Sequence, residues 1–557
     1  MCGICCIFSK KTTININLNE TFDLLRNNIA RRGPDSFDIK HFSTKSNHDL
    51  LFAASVLWLQ GCHSTKQPLQ NDRSVFIYNG DIFESLKDYR SAESDTEALF
   101  ELFNNTESVF YELVKLHGPY AFVYFDKNEE ELYFGRDLFG RKSLLLGKKG
   151  DLIVLSSVSR KIHDCTFIEL PSIGIFCWNL RTDLLSIDTF QYDSPNFQSK
   201  LEELETFLDK KIVVKNRENI TKILQFQEPT SQCISLYKTL EDVKTGNNFS
   251  VLLKNKDWLN KVTQLKTLLE KSIQTRISNL PNYCKDCIKD KLICQHPLVG
   301  VLFSGGVDCS ILALLADQFI DKSRPIDLFN VAFDETKNYQ TPDRQTGLQT
   351  LEELRRLCPL REWRFFEINI PRKELDEARQ FHIADLIHPL KSVLDDSLGC
   401  ALWFAGRGMT GGEKSPCRVL LVGMGADELF GGYTKHRAAF KKQSWLGLHE
   451  ILKEDWQSLP YRNLARDDRV VSDHGRQLRM PYLDESLVEF VLSLQCWERS
   501  YPSDKVVQGF GEKILLRSLA HHIGLTEAAL LRKRALQFGS RIANKKENAH
   551  ETSIKLC

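Results

Sequence analysis

The sequence lacks a surplus of either charge: 74 Lys and Arg against 73 Asp and Glu leave a formal net charge of +1 over 557 residues. A near-neutral chain offers no global field for nucleic acid or an anionic membrane surface, so neither partner is expected. It also lacks a long hydrophobic run, since the most apolar stretch, Leu50 to Leu59, is far shorter than the ~20 residues of a membrane-spanning helix. Its sixteen cysteines are too dilute for a disulfide scaffold, and Cys165, Cys177 and Cys400 stand singly in apolar segments. Free thiols in a reducing compartment are therefore expected. The start, MCGICCIFSK, has no basic region and no cleavable apolar core, and Cys557 is the last residue rather than the fourth from the end, so the prenylation pattern is missing. Neither the Walker phosphate motif nor the dinucleotide motif occurs. A soluble, cytoplasmic protein is the expectation. With 42% hydrophobic and 26% charged residues, wholesale disorder is excluded, and the length suggests about three to four compact units.

Residues 2–190 are dense in short runs of Val, Ile, Phe and Tyr, such as SVFIYNG (74–80), YAFVYFD (120–126), ELYFGRD (131–137) and DLIVLSS (151–157). Turn residues punctuate them, which is strand chemistry at hairpin spacing. Helical stretches fall near 20–31 and 95–116, and an α+β domain with antiparallel sheets is predicted. Residues 191–255 turn polar and carry no motif, so a linker or insertion is expected. From 256 the pattern changes, with Leu259, Val262, Leu265, Leu269 and Ile273 recurring at helical spacing. PLVGVLF (297–303) reads as a buried strand, followed by SGGVDCS (304–310) and the helix ILALLADQF (311–319). PIDLFNVAF (325–333) and CRVLLVGMGADELFGGY (417–433) read as further strands, the second running into a glycine-rich loop. Strands alternating with helices predict a doubly wound parallel sheet over 256–543. Residues 544–557 are expected to be a flexible tail.

Cys2 directly follows the initiator Met. Removal of Met1 would put a thiol and a free α-amine on one carbon. The amine, with an ordinary pKa near ~8, could then act as base for its own thiol. The plain alternative is an unremarked cysteine at the second codon. RRGPDS (31–36), YNGDIF (78–83), ESDTEALFEL (93–102), GRDLFGRKSLL (135–145) and LSSVSR (155–160) follow in order. Together with MCG they resemble the class II glutamine amidotransferase domain, an N-terminal-nucleophile sandwich, over roughly residues 2–180. The resemblance implies that Cys2 attacks the glutamine amide carbon. It implies that Asn79 and Gly80 supply an oxyanion hole by side-chain amide and backbone N–H. Asp95 would bind the α-ammonium, and Arg32, with Gly33, Pro34 and Asp35, would shape the floor of the glutamine site. One position departs from the family. Where the strand after RGPD should carry an arginine clamp for the α-carboxylate, FAASVLWLQG places Val56. Charge-assisted hydrogen bonds are worth roughly 1.5–3 kcal/mol each, so glutamine binding weaker by ~100-fold or more is implied unless Arg73 or another cation substitutes.

SGGVDCS (304–310) lies between an apolar strand and an apolar helix. Paired glycines let the main chain approach phosphate oxygens, and a helix N-terminus points N–H groups at an anion. Ser304 and Ser310 offer hydroxyls and Asp308 a carboxylate for magnesium; the plain alternative is a mere turn. The motif in this setting resembles the loop of ATP pyrophosphatases, which cleave between the α and β phosphates. GMGADELFGGY (423–433), LDDSLGCALWFAGRG (394–408), ARDDRVVSDHGRQLRMPYLD (465–484), GEKILLR (511–517) and LLRKRALQFGS (530–540) extend the likeness to asparagine synthetases. The whole is similar to the asparagine synthetase domain-containing protein 1 family. That resemblance implies ATP and Mg2+ held by Ser304, Gly305, Gly306, Asp308, Ser310, Gly423 and Gly425, with Asp308 and Asp427 as metal carboxylates. Val331 would line the adenine pocket, and Lys533 would stabilise the pentacovalent phosphate, a role for which Arg532 and Arg534 compete. Here too one position departs: Met424 stands where asparagine synthetases carry the glutamate of Gly-Glu-Gly. Methionine accepts no proton, and general acid–base help is typically worth ~10²–10⁴ in rate.

The implied function is glutamine-dependent, ATP-driven amide formation, with ammonia passing through an internal channel to an acyl-adenylate. Its partners would be small molecules: glutamine, ATP and a carboxylate such as aspartate. The chain could pair as a homodimer. The rivals are a ligase with another acceptor and a nucleotide-binding pseudo-enzyme or scaffold. A tRNA-modifying pyrophosphatase is disfavoured by the charge balance. Cys284, Cys287, Cys294 and His296 have the ligand count for zinc, with free thiols in a surface insertion as the alternative. His382, His388 and His436 are expected to pack or hydrogen-bond rather than ligate.

Overall fold

The apolar runs of the N-terminal half pair into two sheets. The computed structural model describes residues 2–11, 17–84, 94–216, 226–228, 249–506, 509–543 and 548–556. A six-stranded antiparallel sheet places Cys2–Lys10 between Leu152–Ser156 and His48–Val56, with Ser36–Ser43 on the far side of the latter. A seven-stranded sheet carries Glu131–Arg136, Tyr120–Asp126 and Ser74–Gly80 as neighbouring antiparallel strands. Alternation along a strand sends successive side chains to opposite faces. Cys2, Ile4, Cys6 and Phe8 thus enter the layer between the sheets, with Phe52, Ala54, Ile77 and Val123. Cys5 and Ile7 face the other way, under Phe22, Leu25 and Ile29 of the helix Leu18–Arg32. Both faces are covered, so the strand is apolar almost throughout. The helices Asp95–Asn105 and Val109–Leu113 close the outer face of the second sheet by packing Leu99, Phe103 and Phe110 on Phe76, Tyr78 and Phe122.

This unit runs past residue 190. Residues expected as linker form the helix Phe197–Leu208, whose Leu201, Leu204 and Leu208 join the core between the sheets. The strand Ile212–Asn216 follows and pairs parallel with Leu184–Thr189. The leucines at helical spacing were outnumbered by the glutamates and lysines of the solvent face. Of the remaining linker, 217–225 and 229–248 lie outside the described residues, while Phe249–Leu252 forms a short helix that buries Phe249 and Leu252 in the C-terminal core.

The C-terminal half is built on a five-stranded parallel sheet in the order Trp363–Asn369, Ile326–Ala332, Val299–Leu302, Val419–Leu421, Gln477–Arg479. The chain moves outward from Val299–Leu302 in one direction and later returns on its other side. The switch point therefore lies between Val299–Leu302 and Val419–Leu421, the position beyond whose carboxyl strand ends open α/β sheets bind ligands. Local signals set the helices: Thr341 caps Pro342–Leu357 with proline in its first turn, and Ser392 with Asp395 forms a capping box on Val393–Arg407. The tail does not fray among its described residues. The Glu551 carbonyl accepts from the Val393 amide at 2.9 Å, Ser553 Oγ donates to the buried Asp396 at 2.8 Å, and Leu556 is buried. No helix among the described residues is long and apolar enough to cross a membrane.

The halves meet across buried charge. Every residue of the helix Leu464–Ser472 is buried. Its Asp468 reaches Arg32 at 2.7 Å and Lys142 at 3.5 Å, and its Arg469 pairs with Glu169. Just beyond it, Asp473 takes Arg31 at 2.7 Å.

Candidate functional site

Cys2 begins its strand opposite Val56 and opens on a cleft of about 390 Å³ lined by Val56, Trp58, Gln67, Tyr78, Gly80 and Asp95, among others. The strand Ser74–Gly80 brings Asn79 alongside, and the Cys2 amide donates to Asn79 Oδ1 at 3.0 Å. That leaves Asn79 Nδ2 buried without a hydrogen-bond partner among the described residues, a donor free to meet developing negative charge. Asp95 enters at the start of its helix, accepts from the Ile82 amide at 3.0 Å and has no ion pair among the described residues. Burial, then the neighbouring Asp81, pushes its carboxyl up to about 7. Asp81 is held low against its own burial chiefly by Arg479, at 2.9 Å. Burial also pushes the Cys2 thiol up.

Arg32 is not on the cleft wall. It is fully buried, donates from Nε to the Cys2 carbonyl at 3.4 Å and pairs with Asp468. It braces the thiol strand from behind, because its charge is already matched across the domain boundary. Arg73 is not a substitute clamp, since Asp126 and the Asn104 carbonyl engage it on the outer surface. No arginine or lysine lines the cleft among the described residues. Sequence reasoning missed Gln67, whose Oε1 accepts from the Tyr78 amide at 2.7 Å and whose Nε2 lies 3.4 Å from Cys2 Sγ. A lone glutamine outside every motif gave no signal.

The second cluster sits at the switch point of the parallel sheet. The strand Val299–Leu302 ends, and the helix Val307–Ala316 begins, around Gly305 and Gly306. Gly305 has φ +77°, and a Cβ there would lie 2.5 Å from the Thr346 carbonyl carbon, so this turn accepts only glycine. Ser304, Gly306 and Asp308 are part-exposed on one side of the loop. Ser310 is fully buried and its hydroxyl donates to the Gly306 carbonyl at 2.8 Å, so it ties the helix turn and does not face the loop's open side. Gly423 lets the second loop approach, since its Cβ would lie 2.8 Å from Asp308 Cβ. Val331 is buried near the carboxyl end of the adjacent strand Ile326–Ala332.

Asp308 and Asp427 converge on one ammonium. Lys513 Nζ lies 2.8 and 2.7 Å from the two Asp308 oxygens and 2.6 Å from Asp427 Oδ1. Lys533 takes the other oxygen of Asp427, whereas Arg534 turns to Thr346 Oγ1 at 3.0 Å. Against burial, Lys513 and then Lys533 hold the Asp427 carboxyl well below its ordinary range. Burial opposes the charge on Lys533, but Asp427 and Asp308 raise its pKa above the ordinary lysine value. Lys513 was missed as a site residue although GEKILLR was singled out; a cation opening an apolar helix was the available signal. Met424, part-buried, packs on the hydrophobic core. His436 and His382 bond to Asp455 and Asp473, each at 2.8 Å, and His388 lies 3.3 Å from Ser159 Oγ.

Residues 1–170 match the glutamine amidotransferase domain family, and residues 284–447 and 441–553 match asparagine synthase. An asparagine synthetase domain-containing protein of Drosophila melanogaster is 36% identical, with all of both chains covered. Asparagine synthetase domain-containing protein 1 of Mus musculus is 34% identical over 100% of this chain and 99% of its own. A putative glutamine-hydrolyzing asparagine synthetase of Methanocaldococcus jannaschii is 24% identical, covering 83% of this chain and 72% of its own.

Proposed function

Because the chain belongs to the asparagine synthetase domain-containing protein family, we propose that it is an ATP-dependent ligase: it activates a carboxylate as the adenylate and converts it to an amide with ammonia taken from glutamine. The observation that carries this reading is the convergence of Asp308 and Asp427 on Lys513 beside the Gly305–Gly306 turn. Two carboxylates and a buried ammonium beside a glycine turn supply both signs of charge that a metal-bound phosphate chain needs: were Mg2+ to take the carboxylates, phosphate oxygens would have to match Lys513 in their place. The part-exposed Ser304 and the Gly306 amide would take pyrophosphate oxygens. Asp308 and Asp427 would hold Mg2+, which when bound neutralises phosphate charge. Lys533 would stay beside the α-phosphate that the carboxylate attacks as pyrophosphate leaves, and Val331 would back the base.

In the thiol cleft, Asp95 would bind the α-ammonium of glutamine and Asn79 Nδ2 the oxyanion, with Cys2 as nucleophile once Met1 is removed. Val56 stands at the clamp position and no arginine or lysine lines the cleft among the described residues, so glutamine turnover is expected to be slow. Met424 leaves the amination step without its usual proton acceptor, so an acceptor other than aspartate is the form of the ligase these residues favour.

ATP–pyrophosphate exchange across a panel of carboxylates tests the reading. Exchange with at least one carboxylate, lost in Asp308→Ala, is expected. Ammonia release from glutamine should be measurable and lost in Cys2→Ala. Val56 and Met424 together favour one second reading, a nucleotide-binding scaffold. Calorimetric uptake of Mg·ATP without exchange for any carboxylate would establish that reading and overturn the ligase.

A further inference from the structure

Among the described residues, one cluster of ligand-type side chains lies outside both sites. The loop between the helix Lys256–Ile277 and the strand Val299–Leu302 gathers Cys284, Cys287, Cys294 and His296, with their ligand atoms all within 4.8 Å of one another. Cys284 Sγ and Cys287 Sγ lie 3.4 and 3.5 Å from His296 Nδ1. A tetrahedral site with bonds of about 2.3 Å to sulfur and 2.0–2.1 Å to nitrogen separates its ligand atoms by roughly 3.5–3.8 Å. Three sulfurs and an imidazole nitrogen form a soft donor set suited to zinc rather than to a hard oxygen-seeking cation. We propose that Cys284, Cys287, Cys294 and His296 bind one zinc ion.

Four protein ligands leave no open coordination position, so the ion is structural. The loop has reason to need it. Cys284 is its one buried ligand, Cys287 and Cys294 are part-exposed, and Leu292 and Ile293 between them point to solvent at 60% and 79% exposure. A loop with so little apolar burial is held by whatever crosslinks it. The backbone is already folded around the cluster: the Ile288 amide donates to the Cys284 carbonyl and the Leu292 amide to the Cys287 carbonyl, each at 3.1 Å. The same loop touches both halves. Tyr283 packs its ring 5.7 Å from Trp58 on the wall of the thiol cleft. Lys285 Nζ donates to the His474 carbonyl at 2.6 Å, and Arg324 to the His296 carbonyl at 3.1 Å. The ion therefore fastens a clip between the Trp58 wall and the strand that carries the Gly305–Gly306 turn.

The test uses the full chain, purified without chelator and analysed by plasma mass spectrometry. About one zinc per chain is expected. Replacing it with cobalt should give the sulfur-to-metal charge-transfer and d–d bands of a tetrahedral site. Cys287→Ser/Cys294→Ser, which spares the buried Cys284, should hold less than about a tenth of an equivalent. Because that variant could misfold, the unaltered chain is tested as well: zinc should slow alkylation of Cys287 and Cys294 by at least about tenfold. Metal-free protein that takes up no added zinc and alkylates equally with and without it, or that carries a disulfide among these cysteines, would overturn the proposal.

Discussion

Asp95 is the residue whose surroundings make the sharpest pH statement. An ordinary aspartate ionises near ~3.9, but burial and then Asp81 push this one up to about 7. The folded state thus keeps a proton that the unfolded state loses. Its contribution is fully present below pH ~4 and is lost as pH rises to about 7. Asp95→Asn removes that loss, so the variant should melt a few degrees above the parent at pH 8 and together with it at pH 3.5. Its functional consequence has the opposite sign. An α-ammonium is bound by the ionised carboxylate, so glutamine should protect Cys2 from alkylation more strongly as pH rises through about 7. In Asp95→Asn that protection should fall ~10-fold or more, the scale of one lost charge-assisted bond. Thermal scans at the two pH values and alkylation rates with and without glutamine check both halves. Equal protection in the variant would remove Asp95 from the proposed glutamine site.

At the scale of elements, the two glycines of the Gly305–Gly306 turn separate folding from the nucleotide binding proposed for it. Gly305 has φ +77° and no room, with the Thr346 main chain 2.5 Å from a would-be Cβ. Gly306 has φ −70°, and its Cβ would meet only Ser304 Oγ, at 3.4 Å. Gly305→Ala should therefore lower both Tm and Mg·ATP affinity, with a left-handed strain of roughly 1–2 kcal/mol before any displacement of the helix Pro342–Leu357. Gly306→Ala should keep its Tm and still lose Mg·ATP affinity ~10-fold or more, because its methyl occupies space a phosphate oxygen would use. If Gly306→Ala binds Mg·ATP as the parent does, the turn is not a phosphate cradle. How legible such elements were depended on whether their signal was local. Strand–turn–helix order around 297–319 could be read directly, since apolar runs and paired glycines act within a few residues. The helix Phe197–Leu208 was hidden because its three core leucines are diluted by a charged face. The tail was misread because what holds it, Asp396 and the Val393 amide, lies some 160 residues away. The grouping of Cys2, Asn79 and Asp95 about one cleft was legible through the order of their motifs. Gln67 and Lys513 join the candidate sites only through contacts made in three dimensions.

At the scale of the molecule, the two halves are joined by charges that neither half can satisfy alone. Asp468 is fully buried between Arg32, at 2.7 Å, and Lys142, at 3.5 Å. Burial raises its carboxyl, but Arg32 and then Lys142 hold it below the ordinary value. That part of the stability is present above pH ~3.9 and is lost as pH falls through the folded pKa. Arg32 in turn donates to the Cys2 carbonyl, so one chain of contacts runs from the synthetase half to the thiol strand. Phe139 on Trp456, at 5.4 Å between ring centres, adds an apolar contact across the same boundary. Asp468→Ala would leave Arg32 and Lys142 buried and unmatched, which typically costs about 3–5 kcal/mol. The parent should unfold in one calorimetric transition. The variant should show a lower-melting N-terminal half and faster alkylation of Cys2, while Mg·ATP affinity at the distant Gly305–Gly306 turn stays within about twofold. Asp468→Ala/Arg32→Met should recover part of the lost stability, because it removes one of the stranded cations. A variant that melts as the parent does would mean that this buried pair does not couple the halves. A double mutant no better than the single would place the cost in lost packing rather than in unpaired charge.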